Sequence, residues 1–318
     1  MRKFGWLLGG SLALGIILSM YSIYSAADIR VQALPTPYKY RIMFISPELG
    51  NPYWNPLINA VKSEAKKEHI SIEISGSNRM NAEEMQEAMN MAIASRVEGI
   101  ILLPINDSHI TEMANKATVS GIPVFTVIND IPTSLRKSYI GTDHIQSGVK
   151  VGKDIAAYLN GKGNIGVVKD SNFLSLQELR LAGIKQALKV YQNIHLIELS
   201  QDQVMSRNAS QQTDLLLNEH PDLSAFIGLG QNDSSGIVAS IEHRSTVENY
   251  AIYSFDYTEE AANLMRRRAI VESVEHDLHR IGLKSVQQLS AWLEGKQLPL
   301  PTHSYTNTHV ISSGIGGN

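Results

Sequence analysis

Arg41–Asn55 reads RIMFISPELGNPYWN. Ile42–Ile45 is an unbroken apolar run of strand length, followed by a turn-rich segment and two adjacent aromatics, Tyr53 and Trp54. Asn51-Pro52 predicts a helix start, because Asn caps free N–H groups and Pro loses nothing at the first helical position. Asn55-Pro56 is a second start, which makes the first turn loose. Beyond it Leu57, Ile58, Val61 and Ala65 share one helical face. The unit is a strand, a loop of ligand-binding length, an aromatic pair and a helix.

Outward from that unit, strand and helix patterns alternate along the chain. Gly99–Leu103 is continuously apolar, as strands buried on both faces are. Pro123–Ile128, Asn164–Val168, Ala225–Leu229, Tyr250–Phe255 and Ala269–Val274 also read as strands, with helical patterns between them. Met205–Glu219 reads as one helix, and Leu278–Leu293 as a long last one with Ile281, Val286, Leu289 and Trp292 inward. Met80, Met85, Met89 and Met91 are expected in the core. The tail from Pro301 to Asn318 reads as strand or loop. Such alternation predicts an α/β fold with parallel sheets covered by helices on both faces, in two similar halves divided near residue 142.

The composition is that of an ordinary globular protein, with 318 residues, 43% hydrophobic, 19% charged and a net charge of −3. The basic run Arg266–Arg268 is a solvated helix end and no nucleic-acid surface, since no wider basic face accompanies it. There is no cysteine, which excludes disulfides, thiolate metal sites and a lipid on cysteine. Arg2 and Lys3 precede an uncharged run, Phe4–Ile23, long enough to cross a bilayer as a helix with the rest of the chain outside. Residues 1–27 are therefore expected to be a signal anchor, or a signal peptide cut near Ser25-Ala26-Ala27. Residues 28–39, with Pro35 and Pro37, read as a stiff linker.

Parallel sheets bind ligands beyond the carboxyl ends of their strands. The residues found there are Asn51, Tyr53 and Trp54; Asn129 and Asp130; Asp170 and Asn172; Gln231, Asn232 and Asp233; Asp256; and His276. Asn and Asp also serve turns, and paired rings also serve cores, so each residue alone is ambiguous. Together they match a small polyol: amides and carboxylates pair with hydroxyls, and aromatic faces cover C–H surfaces.

The pieces NPYW (51–54), VEGIILLPINDS (97–108), GIPVFTV (121–127), YIGTDHIQSG (139–148), RLAGIKQAL (180–188), HPDLSAFIGLGQND (220–233) and YSFDYT (253–258) occur in an order that resembles the type I periplasmic sugar-binding proteins of ABC importers. The resemblance runs from about Tyr40 to Val310. It implies two doubly wound lobes with a hinge and an interlobe cleft, residues 40–142 with about 277–302 forming one lobe and 143–276 with about 303–318 the other. It implies a ligand site drawn from Asn51, Tyr53, Trp54, Asn129, Asp130, Arg180, Asn232, Asp256 and His276, with no cofactor and no metal. Two departures stand out: Ile128 takes a place where the family commonly has Asp, and Glu178 one where ribose-type members have Arg. They imply a ligand other than ribose held in the usual way.

The expected function is extracytoplasmic binding of a monosaccharide or similar small polyol for a membrane permease. The alternative is an anchored sugar sensor reporting to a histidine kinase. A carbohydrate-acting enzyme is the remaining reading, against which stands the lack of a G-x-S-x-G, phosphate-loop or metal motif. His276 and His279 have no evident third metal ligand.

Overall fold

The computed structural model describes residues 38–296 and 298–314. The signal or anchor segment expected over residues 1–27, and most of the linker, lie outside them. Among the described residues no helix is long and apolar enough to cross a membrane.

The first half contributes β1 (Tyr40–Ser46), β2 (Ile70–Gly76), β3 (Gly99–Leu102), β4 (Val124–Val127) and β5 (Ser138–Thr142), with α1 (Asn55–Lys67), α2 (Ala82–Ala94) and α3 (Ser108–Val119) between them. The second half contributes β6 (Lys162–Val168), β7 (Asn193–Glu198), β8 (Leu223–Gly228), β9 (Ala251–Phe255) and β10 (Glu272–His276). Its helices are α4 (His144–Tyr158), α5 (Leu174–Leu188), α6 (Gln201–Met205), α7 (Ala209–Glu219), α8 (Asp233–Glu242) and α9 (Glu259–Arg266). The chain closes with α10 (Leu278–Leu293), β11 (His303–Thr306) and β12 (Thr308–Ser312). The sheets run β2-β1-β3-β4-β5-β11 and β7-β6-β8-β9-β10-β12, the same winding twice. All neighbours are parallel except β12, which is antiparallel to β10.

Three crossings join the lobes, after β5, after β10 and between β11 and β12. The last falls later than the sequence suggests: residues 303–306, expected with the second lobe, pair with Tyr139–Thr142 in the first sheet. A strand of four residues has too weak a period to reveal which sheet it joins. The opening unit folds as read. Asn51 caps a 3-10 turn, Pro52–Trp54, by accepting from the Tyr53 N–H, and the α-helix starts at Asn55. Helix α1 buries Leu57, Ile58, Val61 and Ala65.

Three local expectations change. Met205–Glu219 is two helices, because Asn208 and Gln211 form a capping box that starts α7 afresh. Met91 is half exposed whereas Met85 and Met89 are fully buried, since Met91 falls on the opposite face of α2. Strand β10 begins at Glu272 rather than Ala269, after a turn in which the Ala269 N–H still bonds back to Leu264.

Candidate functional site

The lobes meet through the carboxyl ends of their sheets. The Asn106 N–H donates to the Asn172 carbonyl across the seam (3.1 Å), and the Ser175 hydroxyl meets the Asn106 amide oxygen. Asn51 and Gln231 exchange side-chain contacts at 3.4 and 3.5 Å. Trp54 packs edge-on against Phe173, with ring centres 6.5 Å apart. In each lobe the residue after the fourth strand turns with positive φ, +66° at Ile128 and +72° at Asp256. A β-branched residue pays for that conformation, so Ile128 marks a backbone held by its surroundings. Its carbonyl accepts from the Tyr139 hydroxyl at 2.9 Å, with His144 Nε2 also at 2.9 Å.

The centre of the seam is a buried ionic network. Arg180, 1% exposed, donates to the Leu229 carbonyl (2.6 Å) and to Asp256 (2.9 Å), and its guanidinium lies over the Phe255 ring. His276 Nε2 is 2.8 Å from both Asp256 Oδ1 and Arg180 Nη2, and its Nδ1 is 2.8 Å from the Thr142 hydroxyl. The two chain crossings at Thr142 and His276 are thereby tied together. Glycines bring Arg180 here. A Cβ on Gly183 would stand 2.0 Å from the Ile145 carbonyl oxygen, and one on Gly148 2.0 Å from that of Arg180, so α4 and α5 touch backbone to backbone.

Burial alone would raise the Asp256 pKa, but the Arg180 charge and the His276 hydrogen bond outweigh it and hold the carboxylate well below its usual range. Burial keeps His276 and His144 neutral, lowering both, with the Arg180 charge adding to the effect. Burial and then the Asp256 charge push the Tyr53 hydroxyl up. Asp233 is buried at the first position of α8, with Oδ2 accepting from the Gly230 N–H at 2.6 Å. Burial, then Asp170, raises its pKa to about 7.

The residues expected in the site divide by this network. Arg180, Asp256 and Trp54 are buried in the partition. Asn51, Tyr53, Asn232 and His276 line a cavity of about 700 Å³ on one side. Asn129 and Asp130 line another, of about 630 Å³, on the other side. Asn129 is buried and donates to the Pro104 carbonyl. Asp130 is tied up by Arg136, Thr126 and the Ile131 N–H, so its carboxylate already serves the first lobe. Trp54 is 3% exposed and part of the first-lobe core, while Tyr53 is the partly exposed ring of the pair.

Sequence reading named Asp233 only as a strand-end residue and did not select His144, Thr142 or Phe173. Thr142 acts through His276, far away in the chain, and His144 through the Ile128 carbonyl, a pairing that no local pattern announces. Three buried polar atoms at the seam have no partner among the described residues: Trp54 Nε1, Arg180 Nε and His144 Nδ1. Such atoms are costly unless a further group meets them.

Two like-wound lobes facing each other across a polar and aromatic seam define a bilobed ligand-binding protein. The periplasmic binding protein domain family matches residues 42–297, and the chain belongs to that family. Among its relatives is the D-ribose/D-allose-binding protein of Pseudomonas aeruginosa, 17% identical over 270 residues, covering 82% of this chain and 84% of that protein. GanP, a glucose-galactose binding protein from Geobacillus stearothermophilus, superposes with a TM-score of 0.80 at 26% identity, covering 87% of this chain and 98% of GanP. A chain of the XylFII–LytSN complex has the same fold, with a TM-score of 0.75 at 24% identity, over 87% of this chain and 99% of that one.

Proposed function

We propose that this protein binds a monosaccharide or similar small polyol between its lobes, outside the cytoplasm, and passes it unchanged to a membrane importer of the ABC type. The observation that carries this reading is the seam itself. A carboxylate, a guanidinium and neutral imidazoles are buried together beside Tyr53 and Trp54, with Trp54 Nε1 and Arg180 Nε unpartnered. Hydroxyl oxygens are acceptors of the kind those two donors lack. In this reading Asn51, Tyr53, Asn232 and His276 touch the ligand from the 700 Å³ cavity, a size usual for small-molecule sites. Asp256 and Arg180 stand behind that lining and reach it through His276. The names of the relatives, binding proteins for ribose, allose, glucose and galactose, support the ligand class.

A second reading, a sensor whose lobes report occupancy to a membrane partner, draws on the XylFII–LytSN complex, in which a chain of this fold is assembled with another protein. In either role residues 1–27 hold the domain at the membrane if uncut. N-terminal sequencing of protein from its native membrane tests this, and a mature start near Asp28 in a soluble fraction refutes it. The ligand reading is tested by thermal unfolding of the full chain against a panel of pentoses, hexoses and polyols. A ligand at 100 times its dissociation constant adds about 2.7 kcal/mol of stability. A melting temperature unmoved by every member of the panel contradicts the reading.

A further inference from the structure

The cavity on the far side of the network, beside β5 and β11, has a chemistry of its own. It shares no lining residue with the Tyr53 cavity. Both lobes build it: Tyr139, His303, Tyr305 and Asp107 come from the first, Asp143, Leu176 and Leu179 from the second. His303 and Tyr305, two apart on β11, stack with ring centres 5.7 Å apart and planes at 22°. Tyr139 stands edge-on to both, at 5.9 and 6.3 Å. The wall is thus an aromatic corner.

Its charge is one-sided. Among the described residues no Lys or Arg lines the cavity, although Arg136 reaches His303 on its wall, whereas three aspartates do line it. Arg136 neutralises Asp130. Asp107 and Asp143 each give one oxygen, Oδ1, to cap α3 and α4. Each of those helix starts supplies about half a positive charge, so two carboxylates against about one positive charge leave the cavity net negative. His144 adds no charge: with Nε2 donating to the Ile128 carbonyl, its unpartnered Nδ1 is an acceptor. Burial first, and then the charges of Asp143 and Asp130 against the opposing charge of Arg136, raise the pKa of the Tyr305 hydroxyl.

An acceptor-rich, negative cavity repels anions and suits a donor-rich cation. An aromatic face beside a carboxylate binds an ammonium group by cation–π and ionic attraction together. Leu176 and Leu179 offer an apolar strip for the carbon chain that such a group carries. We infer that this cavity is a second ligand site, distinct from the sugar site, that takes a small aliphatic amine with its ammonium group against Asp143 and Tyr305.

The test is calorimetric titration of the full chain with 1,4-diaminobutane, using 1,4-butanediol as the uncharged analogue. Saturable binding of the diamine is expected, with no heat from the diol. Asp143→Asn keeps the helix cap, and Tyr305→Thr suits a half-exposed strand position, so both variants should melt normally. Each is expected to weaken diamine binding at least tenfold. No saturable heat from the diamine, equal binding of the diol, or undiminished affinity in either variant overturns the inference. A protein that takes the diamine but no sugar keeps this site and loses the reading above; one that takes sugar but not the diamine does the reverse.

Discussion

Asp233 offers the sharpest physical test of the seam. The residue is 4% exposed and its pKa is raised from 3.8 to about 7 by burial and by Asp170. A raised carboxyl pKa means that the native state binds the proton more tightly than the unfolded chain. Stability from this group is therefore full below the unfolded pKa and is lost as pH rises towards 7. At 1.36 kcal/mol per unit, the two units from pH 5 to pH 7 remove about 3 kcal/mol. Asp233→Asn imitates the protonated form: its amide oxygen still accepts from Gly230, and it carries no charge at any pH. Urea unfolding of both proteins at pH 5 and pH 8 isolates the effect, because the remaining titrating groups cancel in the double difference. The Asn variant is expected to gain about 3 kcal/mol on wild type between the two pH values. A change below about 1 kcal/mol, or one of opposite sign, refutes the claim that burial in the seam holds this carboxyl neutral.

Four further substitutions test the packing and the site. Arg180→Met strands the Asp256 carboxylate in the seam with only His276 beside it and should cost about 3–5 kcal/mol at pH 7 in a denaturant titration. Because the native pKa of Asp256 is depressed, the stability it provides is lost as pH falls below about 4, so the gap between variant and wild type should narrow there. Gly183→Ala pushes a methyl into the Ile145 carbonyl and should cost at least about 1–3 kcal/mol, read as a lowered denaturation midpoint at unchanged slope. Trp54→Ala empties a core position and should cost about 3–5 kcal/mol in the sugar-free protein. Tyr53→Ala, at the partly exposed ring, should instead weaken sugar binding, as a calorimetric titration would show.

Much of the fold was legible in the sequence because its signals are local. The apolar run of β3, the capping Asn51 and the buried face of α1 each follow from a few neighbouring residues. So do the strand ends that carry Asn51, Asn232, Asp256 and His276. What was not legible depends on distant partners. Nothing near Thr142 announces that it meets His276, and nothing near Arg180 shows that its guanidinium spans to Leu229 and Asp256. Trp54 was equally readable as core or as a stacking surface until Phe173 was placed against it. Asp130 stands at a strand end in the sequence, and that position does not show that Arg136, six residues on, folds back onto its carboxylate. His303–Thr306 was assigned to the wrong lobe because four residues carry no signal of which sheet they join.

The central claim is that a polyol is held between the lobes and released unchanged. It is tested most directly by titrating the best sugar of the panel into the full chain in a calorimeter, repeating the titration with Asp256→Asn, and recovering the sugar afterwards. The account predicts saturation at one sugar per chain, affinity reduced about tenfold or more in the variant, as loss of about 1.5–3 kcal/mol from a charged hydrogen bond requires, and sugar recovered intact. Unaltered affinity in the variant, or sugar recovered as a different compound, would contradict it.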